Sequence, residues 1–264
     1  MSKVINCWWP REPKPGNVGD IITPVIISKL SQHKAKWVSL DSNRDMLLST
    51  GSILNKAISE KFTVWGSGAM RLADIEKVSP DANILSVRGP LTQELIYSKF
   101  AKTVDVLGDP ALLVPLFFSP SVNKKYEYGI IPHYVDYKEV KKKYQKYKHI
   151  KVIDVLNADP LKTITEIMEC EKTISSSLHG IIFSNAYKIP SCWVKFSDRL
   201  KGDGTKFRDY LLYCGEHMKN YEKVEDSFIN PDKFDKLRYI SLEKSLLHEP
   251  TKNLKIFLDW ANKS

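Results

Sequence analysis

Residues 173–194, TISSSLHGIIFSNAYKIPSCWV, constrain this chain more than any other stretch. Thr173 and Ile174 are β-branched residues that run into three serines. An apolar helical pattern (Leu178, Ile181, Ile182, Ala186) starts at once, and a second strand follows Pro190. The pattern predicts strand, tight turn, helix and strand, with Ser176 or Ser177 at the helix N-cap. The unpaired N–H groups of such a helix start, serine hydroxyls beside them and His179 in the first turn together describe a pocket for phosphate or carboxylate. An ordinary capped turn with a packed histidine would carry the same residues.

The same plan recurs along the chain. VINCWW leads through PREPKPGNVGD into a helix from about Ile22 to Leu30, which places Asn17, Gly19 and Asp20 where ligands sit in βα units. Asp20 also suits a plain helix cap. AKWVSL (35–40) reads as a strand, and LLSTGSIL supplies a short apolar run. FTVWGSGAM reads as a strand ending in Gly66-Ser67-Gly68, where a backbone can approach a ligand. Ile84–Val87 form a strand with Arg88 at its end, and Pro90 opens a helix running to about Lys99. An arginine so placed can fork onto an anion or form a surface ion pair. VDVLGDP reads as a strand and turn.

SPSVNKKYE is polar and marks a domain boundary. Beyond it YGIIPHYVD, ending near His133, is a strand. A lysine-rich helix within 138–149 follows, in which Val140, Tyr144 and Tyr147 form the buried stripe. HIKVIDVL is a strand, PLKTITEIMECE a helix, SCWVKF a strand, and KFRDYLLYCGE a helix stopping near Gly215. The tail reads as helix broken near Pro250. The expected fold is α/β, with two Rossmann-like domains facing across a cleft at 1–119 and 120–240, and a helical tail at 241–264 packing back on the body.

The chain carries a net charge of +9 and a pI near 9.2, which implies an anionic partner. No recognition-helix or aromatic RNA-binding signature accompanies the lysines, so nucleic acid is not expected. No signal-type apolar segment and no membrane-length run is present, and the four cysteines stand apart without a C-x-x-C pair. A cytoplasmic setting fits. No His/Cys/Asp cluster has ligand spacing, so neither a metal nor a resident cofactor is expected.

Taken together, NVGD (17–20), GSG (66–68), SVRGPLTQELI (86–96), VLGDPALLVP (106–115), IIPHYVD (130–136), SSSLHGIIFSNAYKIP (175–190) and TKFRDYLLYCG (205–215) resemble the polysaccharide pyruvyltransferase family. No single motif is specific, but seven in this order are, and they span roughly residues 4 to 215. The resemblance implies a glycosyltransferase-B-like architecture, phosphoenolpyruvate as donor and a pyruvate ketal built on a cell-surface glycan such as capsule or lipopolysaccharide. It matches Arg88, His179 and Lys206 to the family's donor-binding basic residues. Some members carry Ser-x-Arg-x-His at the histidine motif. Here Ser177 stands at the arginine position, as in a shorter-chain branch, which shifts donor charge towards Arg88, Lys206 or Arg208.

The expected donor ligands are therefore Arg88, Ser176, Ser177, His179, Lys206 and Arg208. His179 is the candidate acid or phosphate ligand, and Asp20 and His133 are the candidate bases for the sugar hydroxyls. The expected acceptor is an anionic or lipid-linked saccharide, with peripheral contact at the inner membrane. A nucleotide-sugar glycosyltransferase of the same plan is the rival reading, and a lectin-like module the third.

Overall fold

The computed structural model describes residues 2–216, 222–223, 230–242 and 249–263. Their strands form two sheets, in which every pair is parallel. The first contains β1 (Val4–Trp8), β2 (Lys34–Trp37), β3 (Met46–Leu48), β4 (Phe62–Ser67) and β5 (Asn83–Val87) in the order β2-β1-β3-β4-β5. The second contains β6 (Tyr126–Ile131), β7 (Ile150–Val152), β8 (Cys170–Ser175), β9 (Ser191–Lys195) and β10 (Glu222–Lys223), ordered β7-β6-β8-β9-β10. Counted from its own first strand, each sheet has the order second, first, third, fourth, fifth. Both therefore reverse their direction of growth between first and third strands, and a doubly wound sheet opens its ligand crevice at the carboxyl edge of that reversal.

The sequence accounts for this architecture locally. Parallel strands are covered on both faces, so they read as unbroken apolar runs, and β4 is buried along its whole length. Helices close the connections: α1 (Val18–Ile21), α2 (Thr23–Ser31), α3 (Pro90–Phe100), α4 (Tyr137–Tyr144), α5 (Pro160–Met168), α6 (Leu178–Ala186), α7 (Thr205–Tyr213) and α8 (Glu249–Lys263). Asp159 caps α5, accepting from Leu161 N at 3.0 Å and Lys162 N at 3.2 Å, with Pro160 at the first turn. Such a cap contributes about 1 kcal/mol.

The largest core lies between the sheets. It joins Ile5, Cys7 and Trp65 of the first sheet to Ile131, Cys170 and Trp193 of the second through α2, α6, α7 and α8. Separate clusters cover the far face of each sheet, around Leu48 and Val64 in the first and Tyr128 and Ile174 in the second. The halves are thus joined by shared apolar burial as well as by the chain. Two buried polar clamps reinforce the joint. In one, α7 packs on α3 and brings Asp209 to Arg88. In the other, Phe257 of α8 stacks on Trp65 at 3.9 Å, while Asn253 Oδ1 accepts from Trp65 Nε1 (2.7 Å) and Ser86 Oγ (2.8 Å).

Several elements differ from the sequence reading. The strand expected at VDVL reduces to one bridge between Leu107 and Val87, and residues 110–116 form a 3-10 turn, as Pro110 and Pro115 remove two backbone donors. The lysine-rich helix ends at Tyr144, with Val140 and Tyr144 buried and Tyr147 only half-buried. Pro250 lies in the first turn of α8. The part of the tail expectation covering 243–248 lies outside the described residues. All four cysteines are free and buried. No described helix is long and apolar enough to cross a membrane.

Candidate active site

Both strand-order reversals open on one pocket of about 170 Å³. From the first half it is lined by Asn17 and Asp20 after β1, Gly51 and Ser52 after β3, and Met70 after β4. From the second it takes His133 and Tyr134 after β6, Ser177, Leu178 and His179 after β8, and Lys206 after β9. Every one of these residues follows the carboxyl end of a strand. The loops are tied across the halves: Val18 N donates to Val155 O at 2.9 Å and Asn157 N to Gly16 O at 3.1 Å. Asn17 caps α1 by accepting from Gly19 N at 3.1 Å, so the carboxylate of Asp20 is carried on a short, fixed turn.

The serine turn builds the opposite wall. Ser177 occupies the N-cap of α6 with extended backbone, but its hydroxyl makes no capping bond. Ser175 does the internal work instead: its Oγ donates within the turn towards Ile131 O (2.9 Å) and Ser177 O (2.8 Å) and accepts from Ser177 N (3.0 Å). Ser176 is buried and accepts from His133 N at 2.8 Å, locking the loop after β6 to the loop after β8. The N-terminus of α6 is thereby aimed into the pocket with the Ser177 side chain beside it.

His179 sits in the first turn of α6, buried and facing a residue that no local signal in the sequence singles out. Its Nε2 stands 3.6 Å from Oδ2 of buried Asp109, and neither atom has a hydrogen-bond partner among the described residues. The other oxygen of Asp109 caps the following 3-10 turn, accepting from Ala111 N at 3.0 Å. A carboxylate there favours a proton on Nε2, which leaves Nδ1 as the ring nitrogen free to accept or deliver a proton. That Nδ1 edge lies over Gly19. A Cβ on Gly19 would stand 2.0 Å from it, so only glycine lets the two halves close around the imidazole.

The titratable groups are tuned by this arrangement. Burial pushes the Asp20 carboxyl up from 3.8 to about 6, against the attraction of His179 and Lys206 and with a further upward push from Asp109. Burial, with help from the Arg88 charge, brings Lys206 down from 10.5 to about 8, and Asp20 opposes that fall. Burial and Lys206 lower His133 from 6.5 to about 4, so it is neutral at pH 7. His133 Nδ1 accepts a long bond from Val135 N (3.5 Å), which assigns its proton to Nε2.

Of the residues singled out from sequence, Asp20, His133, Ser177, His179 and Lys206 meet in the pocket. Three others lie elsewhere. Arg88 is fully buried behind the pocket. Its Nε and Nη2 donate to Asp209 Oδ2 (3.1 and 2.9 Å), its Nη2 also to Ala69 O (2.8 Å), and its Nη1 to Ser52 Oγ (2.7 Å). Gly68, the second glycine of GSG, makes room for that guanidinium: a Cβ there would lie 2.4 Å from Arg88 Cζ. Ser176 is one layer back, as described. Arg208 turns to the neighbouring loop, donating from Nη2 to Asp203 O at 2.8 Å.

Three residues were missed in the sequence: Asp109, Asp209 and Asn253. Asn253 Nδ2 donates to Gly108 O at 2.7 Å, so α8 fixes the Gly108-Asp109 turn that faces His179. Each has a local alibi as a cap or a helix-surface polar residue, and only tertiary pairing reveals it.

The family model described as polysaccharide pyruvyl transferase matches residues 21–198, which include every pocket residue named above from Gly51 to His179. "Uncharacterized protein L143" of Acanthamoeba polyphaga mimivirus is 34% identical over 220 residues, covering 80% of this chain and 75% of that protein.

Proposed function

Because the chain belongs to the polysaccharide pyruvyl transferase family, we propose that it transfers the pyruvyl unit of phosphoenolpyruvate to two hydroxyls of a saccharide, closing a pyruvate ketal and releasing phosphate. The observation that carries this reading is the convergence, on one small pocket, of a helix N-terminus, Lys206, the His179–Asp109 couple and Asp20. The pocket's 170 Å³ falls below the ~300 Å³ at which sites for drug-sized ligands begin. It suits a three-carbon phosphate better than a nucleotide sugar. The two sheets are read as two Rossmann-like domains of the glycosyltransferase-B kind, divided near residue 119, with the pocket in the cleft between them.

In this mechanism the α6 N–H groups, Ser177 Oγ and Lys206 Nζ take the donor's phosphate and carboxylate charge. His179 Nδ1 delivers a proton to C3 of the donor, and the positive charge that develops at C2 is met by the first sugar hydroxyl. Asp20 takes that hydroxyl's proton. The C2–O bond to phosphate then breaks, the second hydroxyl attacks C2, and its proton leaves with phosphate. The proton held by Asp20 returns to His179 before the next turnover, so atoms and protons balance and no redox partner is needed. A base with a pKa near 6 suits proton removal at neutral pH better than one near 4, so Asp20 rather than His133 is assigned that role. Neutral His133 donates from Nε2 to the substrate.

Arg88 acts from behind. It holds Ser52 towards the pocket and adds a second positive charge behind Lys206, while Ser176 fixes the His133 loop. Protein cations carry the leaving phosphate, so activity should survive EDTA. Calorimetric titration with phosphoenolpyruvate tests the reading. Binding should be saturable and weakened about tenfold or more by Lys206→Gln, the loss of one charge-assisted contact. Wild-type protein that does not bind phosphoenolpyruvate would contradict it.

A further inference from the structure

A second cavity, of about 220 Å³, adjoins the first and shares Lys206 with it. It lies between the carboxyl end of β9 (Trp193–Lys195), the loop Leu200–Gly204 and the start of α7 (Lys206, Phe207). Trp193 and Phe207 stack at 4.5 Å and form its apolar wall. Lys195, Lys201, Lys206 and a single carboxylate, Asp203, are its charged groups. Lys195 is already paired with Asp198, whereas exposed Lys201 makes no ion pair among the described residues.

The loop that roofs this cavity is held in place. Arg199 forks onto Glu139 (2.8 and 3.0 Å) and reaches Asp136 (2.8 Å), and Ser197 Oγ donates to Asp136 Oδ1 at 2.6 Å. Arg208 holds the Asp203 carbonyl from below. At its tip Gly202 approaches Met70, which lines the first pocket. The loop therefore passes from one cavity to the other as a fixed wall.

The two cavities differ in chemistry. The acid, the base and the helix N-terminus all face the smaller one. The larger offers an apolar wall and an excess of lysine, with no acid–base pair: it can recognise but not react. We propose that it is the acceptor subsite, seating one sugar ring that carries a phosphate at its anomeric carbon, with the phosphate read by Lys201 and the ring hydroxyls turned towards Lys206 and the donor. This inference rests on the donor reading given above. A volume under the ~300 Å³ of larger ligand sites admits one ring, so whatever carries the phosphate extends into solvent. An anomeric phosphate leaves the exocyclic 6-hydroxyl available for ketal formation beside the ring hydroxyls, whereas in a uronic acid the carboxylate takes its place.

The test uses full-length protein with phosphoenolpyruvate at saturation, its binding confirmed separately by calorimetry. Glucose, galactose and mannose 1-phosphates are titrated beside their methyl glycosides, with binding followed by saturation-transfer NMR. At least one hexose 1-phosphate should bind about tenfold tighter than its methyl glycoside. Lys201→Gln should abolish that preference, and Leu200→Trp, which fills the cavity, should weaken both forms; in each variant phosphoenolpyruvate affinity should hold. If phosphoenolpyruvate binds but no hexose 1-phosphate does, or Lys201→Gln leaves the preference intact, the subsite assignment is overturned while the donor reading stands. If phosphoenolpyruvate itself does not bind, the donor reading fails first. A uridine diphosphate hexose and a farnesyl phosphate hexose separate the two kinds of carrier. The one that binds at least as tightly as the hexose 1-phosphate identifies the carrier, and failure of both overturns the phosphate-linked acceptor.

Discussion

Replacing Asp20 by asparagine should make the protein more stable and nearly inactive. Burial raises the Asp20 carboxyl from 3.8 to about 6, so the folded protein holds a proton that the unfolded chain releases. The sign follows from linkage. Below pH 3.8 both states are protonated and there is no penalty. Between 3.8 and 6 the unfolded chain ionises first, and stability falls; above 6 the full cost remains. Each tenfold change in proton affinity is worth about 1.4 kcal/mol, so this partly buried charge costs at most about 3 kcal/mol at pH 7.5, roughly half that at pH 5, and less where pocket water screens it. Asparagine keeps the shape and removes the charge. Urea unfolding of Asp20→Asn should therefore gain stability by up to about 3 kcal/mol at pH 7.5 and markedly less at pH 5, with unchanged denaturant slope. Pyruvyl transfer should fall ~10²–10⁴-fold, the usual contribution of a placed base. A variant that is less stable at pH 7.5, or whose gain does not depend on pH, would refute the reasoning that Asp20 is a desolvated carboxylate.

Other outcomes follow from the same geometry. The pH dependence of kcat/KM should be bell-shaped with limbs near 6 and 8, because Asp20 must be ionised and Lys206 protonated in the free protein. The substrate phosphate also titrates near 6, so the diagnostic result is loss of the acid limb from kcat/KM in Asp20→Asn. Gly19→Ala should keep the helical turn but lose activity and some stability, because the new Cβ falls 2.0 Å from His179 Nδ1 and the imidazole must shift; full activity in that variant would mean that the imidazole position does not matter to transfer. Asp209→Ala leaves the Arg88 guanidinium buried without its carboxylate and should cost about 3–5 kcal/mol by urea unfolding. A cost under 1 kcal/mol would mean that water reaches Arg88. Asp109→Asn should lower kcat with little change in phosphoenolpyruvate affinity, as a positioning partner of His179 should; an unchanged kcat would leave Asp109 as a cap alone.

The strand–loop–helix rhythm was legible because it is local. Apolar runs give strands, Pro90 and Pro160 open helices, and the triple serine marks the α6 turn. Placing candidate residues at strand ends therefore singled out Asp20, His133, Ser177 and His179, which line the pocket, while Lys206 entered only through the family resemblance. The identity of strand order in the two sheets was not legible, since pairing depends on which strands meet and not on their periodicity. Arg88 shows the limit most clearly. An arginine at a strand end can face a ligand or a buried carboxylate, and the choice was made by Asp209, 121 residues away. Asp109 hid behind its capping oxygen in the same way, for the oxygen that faces His179 leaves no local trace. Gly68 signalled a close approach, but the approaching group was Arg88 and not a ligand.

The most direct test of the central claim is transfer itself. Phosphoenolpyruvate labelled with carbon-13 at C2 is incubated with the protein and hexose 1-phosphates, then followed by carbon-13 NMR and mass spectrometry of the sugar. The account predicts a labelled quaternary ketal carbon on the sugar, with one inorganic phosphate released per ketal, and loss of both signals in Asp20→Asn. Phosphate release that leaves the sugar unlabelled, or transfer of a glycosyl group from a nucleotide sugar without phosphoenolpyruvate, would contradict it.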